Sequence, residues 1–95
     1  MSFASRGTED IYNGLTTKAA RATLPVELHR KGRAKLDQLL HASNLSFLKY
    51  NPSNHLEELK GDRAGQYSLR VNLNYRVCFR WTDDGATDVE IVDYH

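Results

Sequence analysis

One cysteine, two prolines and no long apolar run are the scarcities of this 95-residue chain. A lone thiol, Cys78, cannot close an intramolecular disulfide, which suits a reducing, cytoplasmic setting. No apolar segment approaches the ~20 residues that a membrane span requires. The opening Met1-Ser2-Phe3-Ala4-Ser5-Arg6 lacks the apolar stretch of a secretory signal. The expectation is a cytoplasmic protein without membrane contact. An excess of charge of either sign is missing as well: 13 Lys and Arg stand against 12 Asp and Glu, a net charge of +1. The overall field therefore does not draw the chain to nucleic acid, and any RNA contact needs its cations gathered on one face. No His/Cys/Asp spacing suggests a zinc site, so neither metal nor cofactor is expected.

The length allows one domain, residues 1–95, with a single modest core. Thr8 reads as a helix N-cap, with Glu9 and Asp10 favouring the positive end of the helix. Residues 17–23 suggest a short helical turn stopped by Pro25, which itself starts a main helix reaching about His41. Leu28, Leu36, Leu39 and Leu40 fall on one side of that helix, and Gly32 permits close approach. Arg30, Lys31, Arg33 and Lys35 then read first as a solvated face, with docking on RNA or on a partner as the alternative, and His29 and His41 read as surface residues. Residues 42–55 form a polar loop held by Leu45, Phe47 and Leu48.

From Leu56 onward the pattern is that of strands. Tyr67, Leu69 and Val71 alternate with polar residues, as do Tyr75, Val77, Phe79 and Trp81, and then Val89 and Ile91. Strict alternation predicts one buried and one open face. Antiparallel partners share a face, so loop length sets the register. A three-residue Asn72-Leu73-Asn74 loop pairs Val71 with Tyr75, Leu69 with Val77 and Arg70 with Arg76. A loop centred on Gly85 pairs Trp81 with Val89, Phe79 with Ile91 and Arg76 with Tyr94. Arg70, Arg76 and Tyr94 then form one row on the open face, and Arg80 meets Glu90 in another. Adjacent arginines repel by tenths of a kcal/mol or more, a cost that an intervening anion or a carboxylate tie offsets. Arg76 has an equally good structural reading, bound to backbone or to Asp93.

A strand ending in Asp93-Tyr94-His95 beside strands that project arginine gathers phosphate-binding and proton-transfer groups without a metal. That makes a small ribonuclease the leading reading. Such cleavage needs a 2′-hydroxyl deprotonated, a phosphate stabilised and a 5′-oxygen protonated. His95 is the candidate acid or base and Glu57 its complement. Tyr94 is placed to stack on a base or hydrogen-bond to substrate, and Arg70, Arg76 and Lys60 to hold the phosphate. His55, two residues before Glu57, is a weaker candidate.

At these residues the chain resembles the HigB-like killer proteins of the RelE/ParE toxin superfamily. The likeness runs through Ser2-Phe3-Ala4, Thr8-Glu9-Asp10, Leu24-Pro25 and Lys35-Leu36-Asp37-Gln38-Leu39. It is strongest in Leu59-Lys60-Gly61-Asp62-Arg63, Gly65-Gln66-Tyr67-Ser68, Tyr75-Arg76, Phe79-Arg80-Trp81 and Val89 to His95. The resemblance implies an α+β, RelE-like β-α-α-β-β-β fold with a small, curved, mainly antiparallel sheet and two helices packed on one face. It implies a toxin that cuts mRNA on the ribosome, is neutralised by a HigA-like helix-turn-helix antitoxin, and meets operator DNA only through that complex. It also implies active-site roles for Asp93, Tyr94 and His95 and for a basic residue, Lys60 or Arg63. Where some members carry a catalytic His, this chain has Glu57. The alternative within the superfamily is a ParE-like protein acting by contact with gyrase, or an attenuated toxin serving mainly as antitoxin partner.

Overall fold

A computed structural model describes residues Met1–Tyr94; the expectations placed on His95 lie outside the described residues. Four helices precede a four-stranded antiparallel sheet. They are α1 (Arg6–Tyr12), α2 (Lys18–Thr23), α3 (His29–His41) and α4 (Leu45–Lys49), followed by β1 (Glu57–Glu58), β2 (Tyr67–Arg70), β3 (Tyr75–Thr82) and β4 (Gly85–Asp93). The strands lie in chain order across the sheet. This is the α+β architecture expected, with its opening strand reduced to one parallel bridge between Phe3 and Val89. The N-terminal residues thereby cover the outer edge of β4, and Thr8 of α1 finishes it by accepting the Ile91 amide at 3.0 Å. A covered edge cannot recruit another strand.

The helix caps follow side-chain chemistry. Ser5, not Thr8, caps α1, its hydroxyl accepting the Thr8 amide at 3.2 Å; Thr8 is freed for the β4 edge. Thr17 caps α2 by accepting from the Ala20 amide, and Asn44 caps α4 through the Phe47 amide. The expected polar loop thus contains a short helix. Pro25 precedes a single 3-10 turn, Val26–Leu28, before α3 begins.

The core lies between the helices and one sheet face. Ile11, Leu24, Leu36 and Leu39 meet Leu69, Val71, Val77, Phe79, Val89 and Ile91 there, each such side chain contributing roughly 1.5–3 kcal/mol on full burial. Gly32 lets α3 approach: a Cβ there would stand 2.8 Å from Leu24 Cδ2. Leu40 falls outside the core and is exposed. His29 is buried rather than on the surface, its Nε2 2.7 Å from the Leu24 carbonyl oxygen.

Two corrections concern the sheet. The β2–β3 pairing is as expected, with Arg70 opposite Arg76 and Leu69 opposite Val77. The β3–β4 pairing is displaced from the expected one, by two residues from Tyr75 to Cys78 and by three from Arg80 to Thr82: Val92, not Tyr94, stands opposite Arg76, Cys78, not Arg80, opposite Glu90, and Ala86, not Val89, opposite Trp81. The turn is Asp83-Asp84 rather than a loop centred on Gly85, since Thr82 pairs with Gly85. A bulge follows, with Asp88 in the left-handed region at φ 51°. The second correction is that the far face is not open in its middle. Ser68, Arg76 and Cys78 are all buried. Arg63, from the turn after β1, reaches Glu90 on β4 at 3.3 Å, which it can do only by lying across that face. Burial pushes the Cys78 thiol pKa up, against the pull of Arg63 and Arg76, which leaves it an inert filler.

Candidate active site

The far face of the sheet carries Glu57, Ser68, Arg70, Arg76, Val92 and, by continued alternation, Tyr94. Arg76 is its hub, only 5% exposed. Its Nε donates to Ser68 Oγ at 2.7 Å, and its Nη2 donates to the His55 carbonyl and, at 3.5 Å, to the Ser68 carbonyl. His55 turns that carbonyl inward by adopting φ 43° at the end of the Pro52–Asn54 turn. Those bonds fix the guanidinium plane and leave Nη1 toward Glu57, whose Oε1 lies 3.8 Å away. The guanidinium carbon sits 5.5 Å from the centre of the Tyr94 ring, a cation–π distance.

Tyr94 reaches Arg76 diagonally, one step beyond Val92, and its amide donates to the Asn74 carbonyl at 2.6 Å. The two-residue shift in register preserved the parity that puts both on one face. Parity puts Asp93 on the other side of β4, opposite Tyr75. Arg70, half-buried, is the cross-strand neighbour of Arg76. Lys60 is exposed where the Gly61–Arg63 turn starts. Arg63 is engaged with Gln66 Oε1 at 3.0 Å and with Glu90, and Arg80 pairs with Asp88 at 3.7 Å rather than with Glu90. Glu57, Arg70, Arg76 and Tyr94 are therefore brought together. Arg63 is tied into the scaffold beside them.

Sequence reasoning passed over Ser68 and the Lys35–Asn54 pair. Lys35 is buried, its Nζ donating to Asn54 Oδ1 at 2.6 Å and to Ser53 Oγ at 3.3 Å. Asn54, fully buried, in turn donates to Gln38 Oε1 and the Leu48 carbonyl. Nothing in a helical run of cations marks one of them as buried. A small hydroxyl residue, Ser68, between Tyr67 and Leu69 was the one available signal. Among the described residues no three His, Cys, Asp or Glu side chains are grouped so as to hold a metal ion. No helix among them is long and apolar enough to cross a membrane.

A family model for the RelE-like toxin HigB of type II toxin–antitoxin systems matches residues 1–95. The chain belongs to the HigB-like toxin family. Among curated relatives, Toxin HigB-1 of Vibrio cholerae is 43% identical over 52 residues, 55% of each chain. An uncharacterised Haemophilus influenzae protein is 33% identical over 66 residues, 70% of this chain and 65% of that one. Endoribonuclease HigB of Proteus vulgaris is 40% identical over 40 residues, 42% of this chain and 44% of that one. These matches span roughly half to two-thirds of the relatives' lengths. The YoeB–YefM complex from Staphylococcus aureus contains a chain of like fold, with a TM-score of 0.59 at 17% identity, covering 100% of this chain and 95% of that one.

Proposed function

We propose that this HigB-like chain is the toxin of a type II toxin–antitoxin pair and cleaves mRNA on the ribosome by metal-free acid–base catalysis. The observation that carries the reading is the meeting of a fixed guanidinium, a carboxylate and an aromatic ring, with Arg76 3.8 Å from Glu57 and 5.5 Å from the Tyr94 ring. The endoribonuclease name of the Proteus relative supports it.

In this reading Glu57 takes the proton of a 2′-hydroxyl, whose oxygen attacks the adjacent phosphorus. The bond from phosphorus to the 5′-oxygen breaks, and His95 returns a proton to that oxygen, leaving a 2′,3′-cyclic phosphate. Arg76 Nη1 and Arg70 stabilise the charge gathering on the phosphate, and a guanidinium already fixed in place needs no reorganisation to do so. Tyr94 stacks on a base, Lys60 and Arg63 steady the strand, and Asp93 helps to hold the end of β4. The partner is a helix-turn-helix antitoxin of the HigA kind, through which operator DNA is met.

The test is to induce the gene and map mRNA 5′ ends with translation running and with it blocked. Cleavage confined to translated messages is expected. Glu57→Gln and His95→Ala should each lower the rate ~10²–10⁴-fold, the usual worth of one general acid or base. Growth arrest without new 5′ ends would sink the nuclease reading and favour a contact poison.

A further inference from the structure

A second cationic feature adjoins this site and shares Arg70 with it, while its two lysines play no part in the chemistry above. Between α3, the Pro52–Asn54 turn and the β2–β3 connection lies a cleft of about 330 Å³. Lys31, Lys35 and Arg70 line it, with Ser53, His55 and Asn72 among its polar walls. Lys31 and Lys35 stand one helical turn apart, a like-charge spacing that costs a helix a few tenths of a kcal/mol. Lys35 is only 6% exposed and bonds to neutral oxygens alone, those of Asn54 and Ser53. Among the described residues no carboxylate comes within ion-pair distance of Lys31, Lys35 or Arg70. Burial, with Lys31 adding to it, pushes the Lys35 pKa down. Buried charges are normally paired, because leaving water uncompensated is expensive. Three cations facing one cleft without a counter-charge describe a pocket that an anion completes.

We propose that this cleft holds a phosphodiester of single-stranded RNA adjoining the scissile one, with Lys31, Lys35 and Arg70 as its cationic wall. The assignment rests on the ribonuclease reading and follows from shared walls. Arg70 is the cross-strand neighbour of Arg76. His55 lines the cleft and gives its carbonyl to Arg76. A strand with its scissile phosphate at Arg76 thus runs on into the next concentration of positive charge. Lys31 and Lys35 would set the register of the strand, while Arg76 and its neighbours act on the bond.

The test titrates isotope-labelled protein first with inorganic phosphate and then with a 2′-O-methyl pentanucleotide, which cannot be cleaved, following amide chemical shifts. The Asn54 side-chain amide and the Ser53 and Asn72 backbone amides should move with both. Lys31→Gln and Lys35→Gln should each weaken the oligonucleotide several-fold. Each should also lower the slope of log K against log salt by ~0.7, the single-strand value for one phosphate contact. Arg80→Gln should do neither. Lys31 is exposed, so its replacement keeps the test decisive if Lys35→Gln fails to fold. No response to phosphate overturns the anion site. A response to phosphate with none to the oligonucleotide overturns RNA as the occupant and points to an acidic group of a partner protein. Because the oligonucleotide is uncleavable, a response here in a protein that never cuts mRNA would refute the nuclease reading and leave the subsite standing.

Discussion

The guanidinium of Arg76 gives Nε to Ser68 and Nη2 to the His55 carbonyl, so its orientation is set before any substrate arrives. Lysine offers a point charge on a flexible stem and cannot reproduce that fork. Arg76→Lys should therefore lower stability by about 1–3 kcal/mol, the range for leaving buried acceptors unpaired, and depress cleavage as well. Urea unfolding beside the translation-coupled cleavage assay measures both. A variant with wild-type stability would show that the inward bonds are dispensable. Lys35 supplies a pH signature. Its folded-state pKa lies below its unfolded value of ~10.4, so the unfolded chain binds more protons between the two. The cost of burying its charge is full below the folded pKa and fades as pH climbs to ~10.4. The stability difference between wild type and Lys35→Met should accordingly shift in favour of wild type over that alkaline window, as urea titrations across it would reveal.

At the level of elements, α1 and α2 meet at Gly7. A Cβ added there would stand 1.9 Å from Thr23 Oγ1 and 2.5 Å from the Ala19 carbonyl oxygen. The hydroxyl can turn away; the backbone carbonyl cannot without moving α2. Alanine normally favours a helix over glycine by about 1 kcal/mol, yet here the clash should win. Gly7→Ala is expected to destabilise the fold by about 1–3 kcal/mol, typical of overpacking, and to disturb the Thr8 hydroxyl that satisfies the Ile91 amide. Thermal unfolding decides the sign, and a rise in Tm would mean that α2 yields freely. The sheet makes a parallel point about register. The Asn72-Leu73-Asn74 connection is read directly from the chain, and so is the pairing of Arg70 with Arg76. The Asp83-Asp84 turn and the bulge at Asp88 defeat the same reasoning for β4, because neither length nor composition announces an extra residue in a ladder.

Over the whole molecule, a net charge of +1 conceals a division of labour among the cations. Arg63 and Arg80 are offset by Glu90 and Asp88, whereas Lys31, Lys35 and Arg70 face one cleft with no acid among the described residues within ion-pair distance. Thirteen cations with a net charge of only +1 give a weak hold on naked RNA. Much of the rate must come from a codon already positioned on the ribosome. Purified protein should thus cut naked mRNA poorly at physiological salt and translated mRNA well. In the translated assay Arg70→Ala should cost orders of magnitude and Arg80→Ala little. Equal, small losses would show that the charge on this face is not what grips the strand.

Legible in the chain alone are the order of α1 to α3 ahead of the strands, the core-facing sets of β2, β3 and β4, and the gathering of Arg70, Arg76 and Tyr94 on one face. All of these are properties of local periodicity and of parity, which survives an error of two residues in pairing. The sequence also carries the motifs that place the chain among HigB-like toxins. Packing in three dimensions set the burial of Ser68, Arg76 and Cys78, the hold of Arg63 rather than Arg80 on Glu90, and the departure of Lys35 and His29 from the helix's solvated side. Each of these depends on a segment distant in sequence being laid over the residue. Arg76 meets the His55 carbonyl 21 residues away, and Lys35 meets Asn54 after 19. A cation in a helical run looks the same in sequence whether water or a buried amide awaits it, and the chain that brings the amide is placed by the packing of the whole core.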